Sequence, residues 1–117
     1  MTIRSLKSFE QKPVEMEGAA GAKMRMLIGP QEGACNFYMR HFEVAPGGHT
    51  PYHCHDYEHE VFVLAGTGVV RGESGSRPFQ PHDVIFIPAG EMHQFCNTGN
   101  EPCEFICLIP ACRSCKL

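Results

Sequence analysis

The sequence predicts an all-β domain, a barrel or sandwich of short antiparallel strands, on three observations. Apolar runs of four to nine residues alternate with Gly- and Pro-rich turn signals from Lys23 to Pro110. Val, Ile and Phe are enriched in those runs, residues that fit a pleated, half-buried surface. No window carries a sustained 3.6-residue apolar stripe of helical length. Twelve glycines and nine prolines among 117 residues agree with this, since they favour frequent turns over long helices.

The elements follow in order. Residues 1–22 are polar and small, with Pro13 and the stretch Gly18-Ala19-Ala20-Gly21, and read as an N-terminal arm with room for one edge strand. Strands are then expected at Met24–Ile28, Asn36–Val44, His59–Leu64, Gly68–Arg71, Val84–Ile87, His93–Cys96 and Cys103–Ile109. Turns are expected at Gly29-Pro30, Pro46-Gly47-Gly48, Gly66-Thr67-Gly68, Gly72 to Pro78, Pro88-Ala89-Gly90, Thr98-Gly99-Asn100 and Pro110. Residues 23–110 therefore make one barrel domain and 111–117 a C-terminal tail. Val61–Leu64 and Val84–Ile87 are apolar at every position, the pattern of a strand covered on both faces. In so small a protein the second cover is a partner sheet or another subunit, so a homodimer is expected.

Composition narrows the function. Ten basic against thirteen acidic residues leave a net charge of −3, with no basic stripe to track phosphates, so nucleic acid is not an expected partner. The apolar runs are too short to span a bilayer, and the N-terminus shows neither an apolar core nor a cleavage-like segment. A cytoplasmic chain with no membrane contact is the expectation. Seven cysteines, an odd number, argue against a secreted disulfide framework. The seven histidines all fall between His41 and His93, and four of them crowd into His49–His59.

That cluster carries the chemistry. On a strand His53 and His55 leave the same face, about 6–7 Å apart at the backbone. Two imidazoles so placed can converge on one ion at about 2.0–2.1 Å. By the period-two rule only one of His59 and Glu60 can face the interior with them, so the two compete for one ligand place. Pro88-Ala89-Gly90 reverses the chain and returns His93 to the same interior. Imidazoles in that number suit one divalent transition-metal ion, Zn, Cu, Ni or Fe, with Mn a less typical guest.

Gly47-(five residues)-His53-x-His55-(three)-His59, followed by Val61 to Gly66, resembles the first motif of the cupin superfamily. His82-Asp83-(four)-Pro88-x-Gly90-xx-His93-xxx-Asn97 resembles the second, and the short spacer is that of small single-domain bacterial cupins. The resemblance covers residues 23–110 and implies a conical β-barrel of two antiparallel sheets (a jelly roll), commonly dimeric, around one divalent ion. It departs from the pattern where His59 stands at the usual Glu ligand, and where His82 stands at a usual Gly. Small cupins with a similar Glu-His-Glu segment use four histidines, so the implied ligands are His53, His55, His59 and His93. A neutral four-histidine set leaves the ion's charge uncompensated and favours an anionic ligand.

The resemblance places the strands of Arg40 and of Phe105 and Cys107 beside that ion, so the expected pocket residues are Thr50, Phe95, Phe105 and Cys107, with Arg40 as the group that steers an anion through its bidentate fork. The ordinary alternatives are a salt bridge for Arg40, plain barrel core for the two phenylalanines and an inert buried thiol for Cys107. His41 and His49 are expected in surface or packing roles, His82 exposed at a turn, and Cys54 pointing away from the ligands. Cys103 and Cys107 are about 13 Å apart along a strand, too far to share an ion. Cys112 and Cys115 are read as a reduced tail pair. The function expected is a metal-dependent dioxygenase or related oxidoreductase acting on a small anionic or enolisable substrate. A Lewis-acid isomerase or lyase, and a metal-dependent binding or sensing module, are the alternatives.

Overall fold

The apolar runs do form strands, in a computed structural model that describes residues 1–111; Cys112 and Cys115 lie outside the described residues. In chain order the strands are β1 (Lys12–Pro13), β2 (Ala20–Ile28), β3 (Phe37–His49), β4 (His59–Ala65), β5 (Gly68–Gly72), β6 (Gly75–Phe79), β7 (Val84–Ile87), β8 (Gln94–Cys96) and β9 (Cys103–Pro110). Every pairing is antiparallel, and the sheet runs β6-β5-β8-β3-β9-β4-β7. β2 adds to β3, and β1 to β2.

Strand β3 joins the two limbs of this path. It pairs with β9 from Phe37–Pro110 to Val44–Cys103, then with β8 at His49–Cys96. The expected turn at Pro46–Gly48 is therefore a bend inside a strand. Gly47 takes φ +77°, a conformation that costs a glycine little and an L side chain more. The bend folds one limb over the other. Phe79 of β6 meets Phe95 of β8 edge-on at 6.3 Å, and Phe95 stacks on Phe105 of β9 at 4.7 Å. Val44, Val61, Val63, Cys103 and Ile109 complete the core. Each large apolar side chain fully removed from water there contributes about 1.5–3 kcal/mol.

Gly72 to Pro78, expected as a turn, is mostly strand. The two-residue loop Glu73-Ser74 closes a hairpin in which Gly72 faces Gly75. β6 lies at one end of the sheet path, where a proline is tolerated because no ladder needs its missing N–H. The apolar runs also differ from expectation. In β4, His59, Val61 and Val63 are buried, while Phe62 and Leu64 are 42% and 40% exposed. Val84 and Phe86 of β7 are exposed as well. The sequence hides this alternation because the outward positions are apolar too.

The outer face of β2 and β3 is closed by the N-terminal arm. Arg25 donates to the Phe9 carbonyl at 3.4 Å and to His41 Nδ1 at 3.4 Å. Arginine only donates, so His41 carries its proton on Nε2 and donates to Glu104 at 3.0 Å. His41 is fully buried, a packing residue as expected. Among the described residues no helix is long and apolar enough to cross a membrane.

Candidate metal centre

The two histidine-bearing segments are tied to each other through their backbones. The His53 N–H donates to the His93 carbonyl at 3.1 Å, and the His93 N–H to the His53 carbonyl at 2.9 Å. The turn after β7 is held on the other side, where the Gly90 N–H donates to the His55 carbonyl at 2.6 Å. Gly90 has φ +81°, so the turn that returns His93 needs a residue without a β-carbon.

One ring nitrogen from each of His53, His55 and His93 lies within 4.8 Å of the others. The His59 ring stands beside this trio, its centroid 4.9 Å from that of His55 and 5.0 Å from that of His93. Strand alternation turns His59 inward at 5% exposure and Glu60 to solvent, where Glu60 shares a hydrogen bond with Glu58. His93 Nδ1 lies 2.9 Å from the Glu91 carbonyl, which only accepts, so the proton sits on Nδ1 and Nε2 keeps its lone pair. His59 Nδ1 lies 3.0 Å from Cys107 Sγ, and His59 Nε2 is buried with no hydrogen-bond partner.

An orphaned buried ring nitrogen beside three converging imidazoles fits a bound cation, which would satisfy it. Protonation is opposed throughout. Burial, helped by the neighbouring imidazoles and Arg40, pushes His55 down to about 4. Burial followed by the Arg40 charge pushes His59 down to about 3. His53 and His93 are lowered too, mainly by burial. All four are held in the neutral form that a metal requires.

Arg40 is the buried charged group of this cavity; Lys12 and Glu15, which also line it, are exposed. It is 7% exposed, donates from Nη2 to Cys107 Sγ at 3.1 Å, and lies with Cζ 5.0 Å from the Phe42 ring centroid. Its Nε is buried without a partner, and no salt bridge to Arg40 forms among the described residues. Among the described residues the salt-bridge alternative for Arg40 finds no carboxylate. Sequence patterning could not reveal this, because a missing counter-charge is a property of the assembled interior.

Thr50, Phe95, Phe105 and Cys107 all line the same cavity of about 210 Å³. Thr50 and Phe95 are locked together: the Thr50 N–H donates to the Phe95 carbonyl, and the Phe95 N–H to Thr50 Oγ1, each at 2.9 Å. Cys54 is exposed, and His82 sits exposed at a turn with φ +74°. His49 does not line the cavity; its Nδ1 lies 3.3 Å from the Thr50 carbonyl oxygen and 3.3 Å from Gln94 Nε2, and bonds to one of the two according to its tautomer. Sequence reasoning missed Tyr57, Phe42, Met24 and five arm residues, Lys12, Pro13, Val14, Glu15 and Met16, as lining groups. Tyr57 carried a signal, being two residues from His55 on which it stacks at 4.7 Å. The arm residues carried none.

Residues 40–109 match the family model described as Cupin domain, and the chain belongs to that family. The polyketide cyclase RemF from Streptomyces resistomycificus superposes with a TM-score of 0.91 at 32% identity, over 98% of this chain and 82% of that one. The oxalate-binding protein of Thermotoga maritima is 29% identical over 93% of each chain. A 1-methylthio-D-xylulose 5-phosphate methylsulfurylase of Rhodospirillum rubrum is 35% identical over 62% of this chain, a match that spans 47% of that protein's length.

Proposed function

We propose that this cupin is a metal-dependent enzyme acting on a small organic anion, a carboxylate or an enolisable carbonyl compound. His53, His55, His59 and His93 would hold one divalent transition-metal ion. Bound there, the ion supplies a Lewis acid that stabilises negative charge developing on a substrate oxygen.

The observation that carries this reading is charge. Arg40 is buried and unpaired, the four imidazoles are neutral, and Glu60 faces away. A dication beside that guanidinium leaves a strongly positive interior, and a buried charge left unpaired is costly. An anionic ligand supplies the missing partner. The orphaned Nε and a terminal nitrogen of Arg40 make the fork that a carboxylate or enolate oxygen pair accepts. Phe95 and Phe105 exclude water from the reacting end, which strengthens each of these contacts.

Two reactions follow from one site. Oxygen-dependent chemistry of the dioxygenase type requires two ligand places left free by the histidines. Isomerisation or cyclisation through an enolate requires instead a proton acceptor, and its support is the likeness to a polyketide cyclase. Glu15 is the carboxylate among the residues lining the cavity, so the arm supplies a group that this second reaction needs. Metal analysis of protein purified without an affinity metal column, followed by oxygen-electrode assays with 1,3-dicarbonyl substrates, separates them. Oxygen uptake selects the first; turnover without uptake selects the second; metal-free protein that takes up no ion refutes both. The bare apolar outer face of β4 and β7 further supports a homodimer.

A further inference from the structure

The arm segment from Lys12 to Gly18 crosses the mouth of the cavity. β1 sets its course by pairing Lys12 with Met24 and Pro13 with Lys23, and the Val14 N–H donates to the Ala22 carbonyl at 2.9 Å. A tight turn follows, with the Ala19 N–H on the Met16 carbonyl at 3.1 Å. At its far end Gly18 packs on Pro51, where a β-carbon would sit 3.7 Å from the proline Cα. The strap thus runs from the edge of β2 to the chain that leads into His53. Val14 packs against the core and, with Met16, lines the cavity from the strap.

The cavity it closes has two unlike ends. One holds the histidines and Arg40. Beginning beside them is a row of near-parallel rings: Phe42 and Phe105 stack at 5.3 Å and 18°, and Phe105 and Phe95 at 4.7 Å and 27°. Met24 and Met16 line the cavity too, adding polarisable sulfur to its apolar lining. Polar capacity is sparse. The Thr50 hydroxyl accepts from the Phe95 N–H, and the two charged lining residues of the arm, Lys12 and Glu15, are both exposed, with Lys12 paired to Glu10 at 3.7 Å. A ligand with a second charged group remote from the first would leave that group against apolar walls.

We infer that the ligand is a monoanion with an apolar planar ring, its carboxylate or enolate at Arg40 and its ring between the phenylalanine wall and the Val14–Met16 strap. This rests on the anion-at-metal reading above and adds the nature of the ligand's body. The volume of about 210 Å³ suits one ring plus its acidic group, given that a dry apolar cavity of about 150 Å³ accepts benzene. The strap is then a specificity element.

Calorimetric titration of zinc-loaded protein with benzoate and with acetate tests this, because the two anions share a head and differ in the ring. Benzoate is expected to bind about 30-fold or more tightly than acetate, the effect of burying one ring. The Val14→Ser/Met16→Ser variant should lower that ratio at least several-fold, with acetate affinity and zinc content unchanged. Val14→Ile/Met16→Leu should keep the ratio near its original value, which shows that the strap still folds when altered. A ratio within threefold of one, or a ratio unmoved by the serine pair, overturns the inference while leaving the anion site intact. Zinc-loaded protein that binds neither anion refutes the underlying reading instead.

Discussion

Replacing Arg40 with methionine should move stability and binding in opposite directions. In the ligand-free protein the guanidinium is 7% exposed, and among the described residues it has no carboxylate partner and its Nε no hydrogen bond. Keeping a charge out of water costs several kcal/mol even after relaxation. Against this stand one hydrogen bond to Cys107 Sγ, about 1 kcal/mol, and the approach to the Phe42 ring, about 1–2 kcal/mol when desolvated. Methionine fills much of the same volume without the charge. Arg40→Met should therefore stabilise metal-free, ligand-free protein by about 1–2 kcal/mol, a rise of several degrees in Tm for a domain of this size. The same change removes a two-pronged charged contact worth about 3 kcal/mol, so anion affinity should fall about 100-fold. Urea unfolding gives the first quantity and calorimetric titration with benzoate the second. A variant that is less stable than the parent and binds the anion equally well would refute the argument, because Arg40 would then be a structural cation.

His93→Ala, which deletes a ring in contact with all three other imidazoles, should drop zinc content after dialysis from near one per chain to near zero, read by elemental analysis. Cys107→Val should weaken metal binding about 10–100-fold, since Sγ contacts both His59 Nδ1 and Arg40, whereas Cys107→Ser should stay within a few-fold; competition with a chelating dye measures both. Metal-free protein should lose stability on acidification. Unfolded histidines take up protons below about 6.5, whereas folded His55 and His59 resist until about 4 and about 3. The unfolded state then binds more protons, so the urea midpoint should fall between pH 7.5 and pH 5 and change little from these groups above pH 7.5. A flat profile would contradict the burial of these rings. Phe62→Lys/Phe86→Lys, on the bare outer face, should shift sedimentation from a dimer toward the 13.0 kDa monomer.

The strand pattern, the two histidine-bearing segments and their meeting in one interior were legible in sequence. Period-two spacing is local, and it places His53 with His55, and Phe105 with Cys107, whatever the rest of the chain does. The choice between His59 and Glu60 was open to spacing alone. It is decided by the register of β4 on β7 and β9, which buries His59, Val61 and Val63 together. The bend at Gly47 read as a turn because local signals for a turn and for a kinked strand are the same.

An all-β cupin barrel with imidazoles clustered in it was readable from the chain, because alternation, turn chemistry and motif spacing are properties of short stretches. Three further matters depended on the assembled fold: that Arg40 is buried without a counter-ion among the described residues, that Cys107 touches both Arg40 and His59, and that the polar arm roofs the cavity with Val14 and Met16. Each depends on segments remote in the chain, with Arg40 and Cys107 brought opposite one another only by the β3–β9 register. Charge balance and enclosure are sums over everything that surrounds a point in space, and no window of sequence contains that sum.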